Sequence, residues 1–205
     1  MPFKHKKLTK QFYLQDDVVA VAENLLGKII VTAFNGNITT ARIVETEAYN
    51  GVADKASHAY GGRRTNRTEI MYANGGVAYV YLCYGMHHLF NVVANKANTP
   101  HAVLIRAAEP LQGIEHMLQR TGKRKADYTI TKGPGNVSKA LGITVKYTGT
   151  NLLNGEINIV DDGFILNESE IIVTTRIGVE YAGEDALLPY RFFIKNNPYV
   201  SGRKK

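Results

Sequence analysis

The sequence predicts an α+β fold, a single domain in which helices surround a curved, largely antiparallel β-sheet that resembles an open barrel. With 205 residues, the chain is long enough for one well-buried core and short for two domains. Its β-branched segments are mostly joined by short turns, which is typical of antiparallel strands. The regular alternation of strand and helix that marks a doubly wound sheet does not occur.

The first elements are a helix followed by a hairpin. Asp16 can cap a helix over residues 16–26, and Asn35-Gly36 favours a tight turn between strands over 28–34 and 38–49. The pattern then predicts a polar loop over 50–68, a short helix over 69–73, and strands near 77–83, 86–95 and 101–108. A helix from Pro110 to near Gly122 and a charged loop over 123–130 follow. The last predicted elements are a helix that begins at Gly133-Pro134-Gly135 and ends at Gly142, and short strands with turns over 143–195.

Basic residues dominate the charge of this chain. The net charge of +7 favours a polyanionic partner such as nucleic acid. Residues 1–8 and 202–205 are basic at both ends of the predicted domain, and we expect flexible tails there. The cluster of Arg63, Arg64 and Arg67 is therefore the more informative one, because it lies in the middle of the most chemically varied segment.

The sequence lacks the features that mark several classes of protein. No apolar run has the length of a membrane span, and we expect neither a signal peptide nor a membrane partner. Cys83 is the single cysteine, which excludes an internal disulfide framework and suits the cytoplasm. His87 and His88 face opposite sides of a strand and belong to no metal-binding motif, so we expect no metal site. No Walker loop, nucleophile elbow or dinucleotide fingerprint is found.

Two glutamates lie on the predicted strand over residues 38–49. Strict alternation places Glu45 and Glu47 on one face with Ile43 and Tyr49, and it places Val44, Thr46 and Ala48 on the other. If the second face packs on the core, the glutamates face solvent, which is the commoner position for charges on a strand. Alternatively, they line a concave site, where burial and like charge raise the pKa of one carboxyl. Alternation leaves both interpretations open.

A tyrosine-rich hairpin follows the basic loop. Tyr79, Tyr81 and Cys83 share one face of its first strand, and buried tyrosines in strands are common. Tyr84 falls at the turn, where its side chain can project from the sheet. A ring in that position, beside basic residues, could wedge between base pairs as side chains of DNA-bending proteins do.

A series of segments, spread over nearly the whole chain, carries a resemblance. They are residues 42–49, Ser57-His58, Gly61-Gly62-Arg63, Tyr79-Val80-Tyr81, Tyr84-Gly85-Met86, Asn91, residues 104–110, Gly133-Pro134, Ala140-Leu141, residues 176–179 and residues 198–201. In this order and spacing they closely resemble the alkyladenine DNA glycosylases, the mammalian-type 3-methyladenine DNA glycosylases. The fold of that family, a mixed domain around a curved antiparallel sheet, agrees with the fold predicted above.

The resemblance implies which residues carry out the reaction. Glu47 matches the glutamate that activates the attacking water, and Arg106 matches an arginine that helps to position that water. Glu45 matches no residue with such a role. A water nucleophile leaves an abasic site, and no lysine stands out as a Schiff-base nucleophile, so the resemblance implies a monofunctional enzyme without metal or cofactor.

The resemblance also implies which residues bind the DNA. Tyr49 and His58 match the pair that sandwiches the flipped base, with Tyr81 as the aromatic wall beside them. Tyr84 matches the tyrosine that fills the gap in the duplex, and Asn91 matches an asparagine that disfavours guanine. We assign Arg63 and Arg64 to the DNA backbone on the basis of their charge.

The expected protein is a cytoplasmic, monomeric hydrolase, associated with the nucleoid if the source is prokaryotic, that removes alkylated or deaminated purines from double-stranded DNA. Two features depart from the mammalian pattern: His87 replaces a tyrosine, and the segment between Asn91 and Arg106 is slightly longer. Both are close to the DNA-facing side, so reaction type is better defined than lesion preference. The alternatives are a non-catalytic module that binds distorted DNA and a metal-dependent hydrolase of nucleic acids.

Overall fold

The computed structural model describes residues 6–202, and within them nine strands form one antiparallel sheet. The strand order is β1-β7-β2-β3-β6-β5-β4, and the β8–β9 pair joins through β9 to the second half of β3. The sheet does not close, which confirms the predicted open α+β fold. The strands are β1 (Lys6–Lys7), β2 (Ile29–Phe34), β3 (Asn37–Tyr49), β4 (Ala78–Cys83), β5 (His87–Ala94), β6 (His101–Gln112), β7 (Ile157–Asp161), β8 (Ile171–Thr174) and β9 (Arg191–Ile194).

Four α-helices in the described chain cover the core face of the sheet: α1 (Lys10–Tyr13), α2 (Val18–Asn24), α3 (Ile114–Thr121) and α4 (Pro134–Leu141). Helix α2 packs on β3, and α4 packs on β5 and β6. Asp17, and not the predicted Asp16, caps α2, because its side chain accepts the backbone N–H groups of Val19 and Ala20. Short 3₁₀ turns occur at Gly51–Ala53, Tyr60–Gly62, Glu69–Tyr72, Tyr128–Ile130, Val145–Tyr147, Glu168–Glu170 and Glu180–Leu187.

A β-bulge at Val44 changes which residues of β3 face the core. Ile43 pairs with Ala108 and Glu45 with Ala107, so two steps along β3 correspond to one step along β6. Ile43 lies in the main core before the bulge, and Ala48 lies in it afterwards, whereas Val44 packs on the opposite side. The strict alternation predicted for residues 43–49 is therefore wrong at its first two positions, Ile43 and Val44.

The predicted helix from Pro110 is also wrong at its beginning. Strand β6 continues through Pro110 to Gln112, and α3 begins only after Gly113, whose φ is 72°. Pro110 pairs with Ala41 next to a register shift. A proline has no N–H to donate, and an irregularity in the ladder is one of the few places within a sheet where it fits.

The ends of the domain differ in part from the predicted tails. Lys6 and Lys7 pair with Asp161 and Val160 of β7, and Leu8 is buried in the main core. The prediction of a flexible tail over residues 1–8 is therefore wrong for residues 6–8. Residues 1–5 and 203–205 lie outside the described residues. None of the helices in the described part of the chain has the length and apolar character needed to cross a membrane.

Candidate active site

An open cleft of about 610 Å³ lies on the face of the sheet opposite the main core. Strands β4, β5 and β6 supply its floor, because alternate residues of each strand point away from the core. Loops over residues 132–136 and 177–181 form its sides. Six of the residues predicted from sequence line this cleft: Tyr49, His58, Tyr81, Tyr84, Asn91 and Arg106.

One row of side chains runs across the floor from strand to strand. Tyr79 pairs with Asn91, Asn91 pairs with Leu104, and Leu104 pairs with Glu47. Directly opposed residues in antiparallel strands have Cβ atoms about 4.5–5.5 Å apart, so each member of the row is next to the following one. The register of four strands thus places Glu47 at the end of a row that lines the cleft.

Glu47 is fully buried beneath three hydrogen-bond donors that themselves line the cleft. Its Oε1 accepts the backbone N–H of Ile177 at 2.8 Å and forms an ion pair with Nη1 of Arg106 at 3.2 Å. Its Oε2 accepts the hydroxyl of Tyr49 at 2.9 Å and keeps lone-pair capacity for a further donor. Burial raises the pKa of Glu47, while Arg106, the Ile177 N–H and Tyr49 oppose that rise.

Glu45 is equally buried, but its surroundings differ from those of Glu47. Its Oε1 accepts Nε of Arg106 at 3.0 Å, Nε of Arg191 at 2.7 Å and the hydroxyl of Ser201 at 3.0 Å. Its Oε2 accepts the backbone N–H of Ser201 at 2.6 Å. Of the two interpretations left open by the alternation, the one that places the glutamates in solvent is therefore wrong, because Arg106, Arg191 and Ser201 cover this face.

Arg106 joins the two carboxylates. Its Nε bonds to Glu45 and its Nη1 pairs with Glu47, so one guanidinium is held between both groups. Arg191 supplies a second positive charge at Glu45. Two buried carboxylates thus face two guanidinium groups, which satisfies the requirement that buried charges be paired.

The aromatic wall of the cleft is built around His58. Its Nδ1 lies 2.8 Å from the hydroxyl of Tyr79, and its ring meets Tyr81 edge-on with centroids 4.6 Å apart. Arg67 lies 3.1 Å from Nε2 of His58 and 4.9 Å from the centre of the Tyr81 ring. Arginine only donates, and Nη2 of Arg67 is closer to Nε2 than to Nδ1, at 3.1 against 3.5 Å, which favours the neutral tautomer of His58 with its proton on Nδ1.

The charge state of His58 follows from its neighbours. Burial, together with the positive charges of Arg67 and Arg63, lowers the pKa of His58 to about 4. The imidazole is therefore neutral near pH 7. A neutral ring can stack on a cationic ligand without the repulsion that an imidazolium would add.

Asn91 is held rigidly in the floor of the cleft. It is nearly fully buried, and its Nδ2 donates to the carbonyl groups of Tyr79 at 3.1 Å and Leu89 at 3.2 Å. Both donors of the amide are therefore used, and rotation of the side chain would break two hydrogen bonds. The Asn91 side chain is therefore a rigid part of the floor of the cleft.

Tyr84 stands at the mouth of the cleft on the β4–β5 turn. Tyr84 and Gly85 have φ angles of 51° and 71°, as the two central residues of a type I′ turn require. The Tyr84 side chain is 89% exposed, and the neighbouring Met86 is also exposed. A large ring is thus presented to solvent beside the opening.

The model of the methylpurine-DNA glycosylase family matches residues 11–198. The chain belongs to this family. Similar curated proteins come from Desulfitobacterium hafniense strain Y51, at 43% identity over 96% of this chain and 98% of the relative, and from Clostridium novyi strain NT, at 44% identity over the same shares. A protein of Chlamydia felis is 45% identical over 91% of this chain and 95% of its own length. Each carries the name "Putative 3-methyladenine DNA glycosylase".

Two arginines of this methylpurine-DNA glycosylase family member, Arg63 and Arg64, lie outside the cleft lining. Arg64 forms a bidentate ion pair with Glu69, at 2.7 and 2.8 Å, and its guanidinium lies over the ring of Tyr72. Within residues 6–202, Arg63 forms no ion pair. The two neighbours therefore differ in the positive charge that they offer to a polyanion.

Several residues of the site were missed by sequence reasoning. Alternation placed Tyr79 on the strand face of Tyr81, but it gave Tyr79 no role in the site. Arg67 was noticed only as one member of a basic cluster. Ile177, Arg191 and Ser201 come from the last thirty residues of the family match and the segment after it, and no local pattern connects them to β3. Among residues 6–202 no group of three or more His, Cys, Asp or Glu side chains is arranged to hold a metal ion.

Proposed function

We propose that this protein is a monofunctional DNA glycosylase that flips an alkylated or deaminated purine, of the 3-methyladenine, 7-methylguanine or hypoxanthine type, out of duplex DNA and hydrolyses its N-glycosidic bond. The observation that carries the proposal is the buried carboxylate of Glu47 at the end of a cleft lined by aromatic rings. Family membership supports the reaction class.

Glu47 is the proposed general base. Cleavage of an N-glycosidic bond builds positive charge on the sugar, as in glycoside hydrolysis, and a nearby carboxylate stabilises that charge while it takes a proton from water. Its raised pKa makes Glu47 a stronger base than an exposed glutamate. Arg106, which contacts Glu47, is proposed to orient the water, and the product is an abasic site.

Tyr49, His58 and Tyr81 are proposed to hold the flipped base. All three line the cleft, and an N-alkylated purine is a flat cation. Stacking of a cation on aromatic rings contributes about 0.5–2 kcal/mol. The neutral state of His58 supports this role, because an imidazolium would repel the same ligand.

Tyr84 is proposed to fill the gap that the flipped nucleotide leaves in the duplex. Extrusion of a base costs a few kcal/mol, least for a damaged or mispaired one. An exposed ring on a tight turn beside the cleft is in a suitable position to take over part of the lost stacking. Arg63 and Arg64 are proposed to contact the phosphates nearby.

Asn91 is proposed to reject guanine. Guanine carries a 2-amino group that adenine and hypoxanthine lack, and a rigid side chain can exclude that group sterically. The two hydrogen bonds that lock the Asn91 amide support this role.

Release of free base from duplexes that each contain one lesion tests the proposal directly. We expect release from at least one alkylated or deaminated purine, by a monomer working in the cytoplasm without a cofactor, and undiminished in EDTA. Lesion-specific binding without release would identify a non-catalytic module instead. Loss of activity in the chelator, restored by a divalent ion, would identify a metal-dependent hydrolase.

A further inference from the structure

We infer that the buried Arg176–Asp54 ion pair is a positioning device that holds the backbone donor of Glu47 and the loop of His58 in place. The inference rests on the proposed function, because it assigns the pair to the step that Glu47 performs. Neither residue contacts the carboxylate of Glu47 through its own side chain. Both act through the segments that they join.

Arg176 uses four hydrogen bonds to join three parts of the chain. Its Nη1 donates to Oδ2 of Asp54 at 2.5 Å and to the carbonyl of Ala48 at 2.9 Å. Its Nη2 donates to Oδ1 of Asp54 at 2.9 Å and to the carbonyl of Asp185 at 3.0 Å. The side chains of the pair are 0% and 1% exposed, so bulk water does not compete for these bonds.

Arg176 is also next to the reacting groups along the chain and in space. The following residue, Ile177, donates its N–H to Glu47. The guanidinium lies 4.9 Å from the centre of the Tyr49 ring and 5.3 Å from that of Tyr190. A shift of Arg176 would therefore move both a hydrogen-bond donor of Glu47 and the support of a ring that lines the cleft.

Asp54 organises the other side of the pair. Its carboxylate accepts the backbone N–H groups of Asn50 and Ala56, and its carbonyl accepts that of Ser57. These bonds shape the loop between the end of β3 and His58. One ion pair thus connects the loop that carries His58 to the loop that carries the Ile177 donor.

Burial of this pair favours a positioning role over a purely stabilising one. A buried ion pair loses hydration on both partners, and its net contribution to stability is often no larger than that of apolar residues of the same size. Its fixed bidentate geometry, in contrast, is well suited to set the distance between two loops.

The chain contains a matched control. Arg42 forms a bidentate pair with Asp162 at 3.1 and 2.7 Å, donates to the carbonyl of Gly27 and lies over the ring of Phe164. This pair has the same chemistry, is slightly more exposed, and lies outside the cleft lining. Arg42→Lys therefore measures the loss of such a pair without a change at the cleft.

The first experiment needs no enzymatic activity. In ¹⁵N-labelled protein we expect the amide shift of Ile177 to follow the titration of Glu47, because the two share a hydrogen bond. In Arg176→Lys, where the charge remains but the bidentate geometry is lost, Ile177 should no longer report that titration. The midpoint of Glu47, followed on its own side-chain carboxyl carbon in ¹³C-labelled protein, should rise by about one pH unit, since a hydrogen bond to its ionised form is lost. Arg42→Lys should leave the Ile177 titration and the midpoint of Glu47 unchanged.

The second experiment measures single-turnover base release against pH. In Arg176→Lys the acidic limb of the pH–rate profile should shift to higher pH with the pKa of Glu47. The plateau rate should fall about 10- to 100-fold, because small misplacements of reacting groups cause losses of this size. Asp54→Asn, which keeps the shape of the side chain, should change both in the same direction. Arg42→Lys should keep the limb and stay within about threefold of the wild-type rate.

The possible results are distinguishable. A wild-type protein that releases no base contradicts the proposed function, whereas the amide titration still tests the ion pair. Folded Arg176→Lys and Asp54→Asn variants that both keep the wild-type acidic limb overturn the inference. An equal effect of Arg42→Lys, or failure of both variants to fold, assigns the pair to general stability and overturns it as well.

Discussion

At the scale of single residues, the contrast between Glu45 and Glu47 carries the most information. They lie two positions apart on one face of β3, and both are fully buried. Arg191 and Ser201, which lie outside the cleft lining, supply three of the four hydrogen bonds to Glu45, and Arg106 supplies the fourth. The partners of Glu47 line the cleft, and its Oε2 accepts a single hydroxyl. This difference supports the proposal that Glu47, and not Glu45, exchanges a proton with a ligand there.

Substitution of the two glutamates tests this contrast. Glu47→Gln keeps the shape but can neither take a proton nor offer negative charge, so we expect base release to fall by a factor of about 10²–10⁴ or more. Affinity for lesion DNA should remain close to that of the wild type. Glu45→Gln should lower the melting temperature, because it leaves two buried guanidinium groups facing one carboxylate.

Single-turnover release, equilibrium binding and thermal unfolding of both variants provide the comparison. We expect Glu45→Gln to retain substantial activity wherever it is folded, with its loss arising from stability or from the position of Arg106. A nearly full-rate Glu47→Gln, or an inactive but stable Glu45→Gln beside it, would contradict the assignment of the base.

His58 gives a prediction about pH. Its folded pKa of about 4 lies below the ordinary value of 6.5, so between these two pH values the unfolded chain binds a proton that the folded protein does not. Stability should therefore decrease as the pH falls from 6.5 towards 4. The ring resonances of His58 should titrate near pH 4, and Arg67→Gln should raise that midpoint. A wild-type midpoint near 6.5 would remove the argument for a neutral ring.

At the scale of elements, a β-bulge and a tight turn determine which side chains of the strands are buried and which are exposed. The bulge at Val44 places Thr46 and Ala48 on the core face, and β9, paired beside residues 45–47, brings Arg191 over the other face. The type I′ turn between β4 and β5 holds Tyr84 outside the sheet. Burial of the carboxylates and exposure of the ring are thus properties of the elements as well as of the residues.

The turn supplies the next prediction. Tyr84→Ala should slow excision from duplex DNA, because nothing would fill the vacated stack, and it should affect a damaged base in a single strand much less. Ile165→Ala is a suitable control, since Ile165 is similarly exposed but does not line the cleft. Equal losses on single-stranded and duplex substrates would show that Tyr84 acts by supporting the fold.

At the scale of the whole molecule, the open sheet has the main core on one face and the cleft on the other. The four helices of the described chain pack on the main core, and the first residues of α4 also line the cleft. Strand β1 is at one end of the strand order and β4, with Tyr84 after it, is at the other. The end with β4 is therefore the proposed DNA-binding end of the sheet.

Salt dependence tests that placement. Affinity for lesion DNA should fall steeply with salt, because basic side chains displace counterions from phosphates. Arg63→Ala should reduce the slope of log affinity against log salt concentration by about one unit. Arg64→Ala should reduce it less, because Glu69 already neutralises part of the Arg64 charge. Lys7→Ala on β1 should leave the slope unchanged. If neither arginine variant alters the slope, the DNA-binding face lies elsewhere.

Local sequence patterns were sufficient for much of the fold. Alternation placed Tyr79 and Tyr81 together on one face of β4, Asn35-Gly36 marked the first hairpin, and Tyr84-Gly85 marked the turn of the second. These features depend on φ, ψ and side-chain direction within a few residues, so the residues themselves determine them. The resemblance of ordered motifs, which family membership supports, identified the candidates in the cleft.

Only the tertiary structure decided which of those candidates are buried and how they are charged. Glu45 forms an ion pair with Arg191 and accepts hydrogen bonds from Ser201, which lie 146 and 156 positions further along the chain. Arg176 meets Asp54 across 122 positions. A strand periodicity of two residues shows that two side chains share a face, but it does not show what covers that face. The raised pKa of Glu47 follows from that cover, because burial and paired charge act through space and not along the chain.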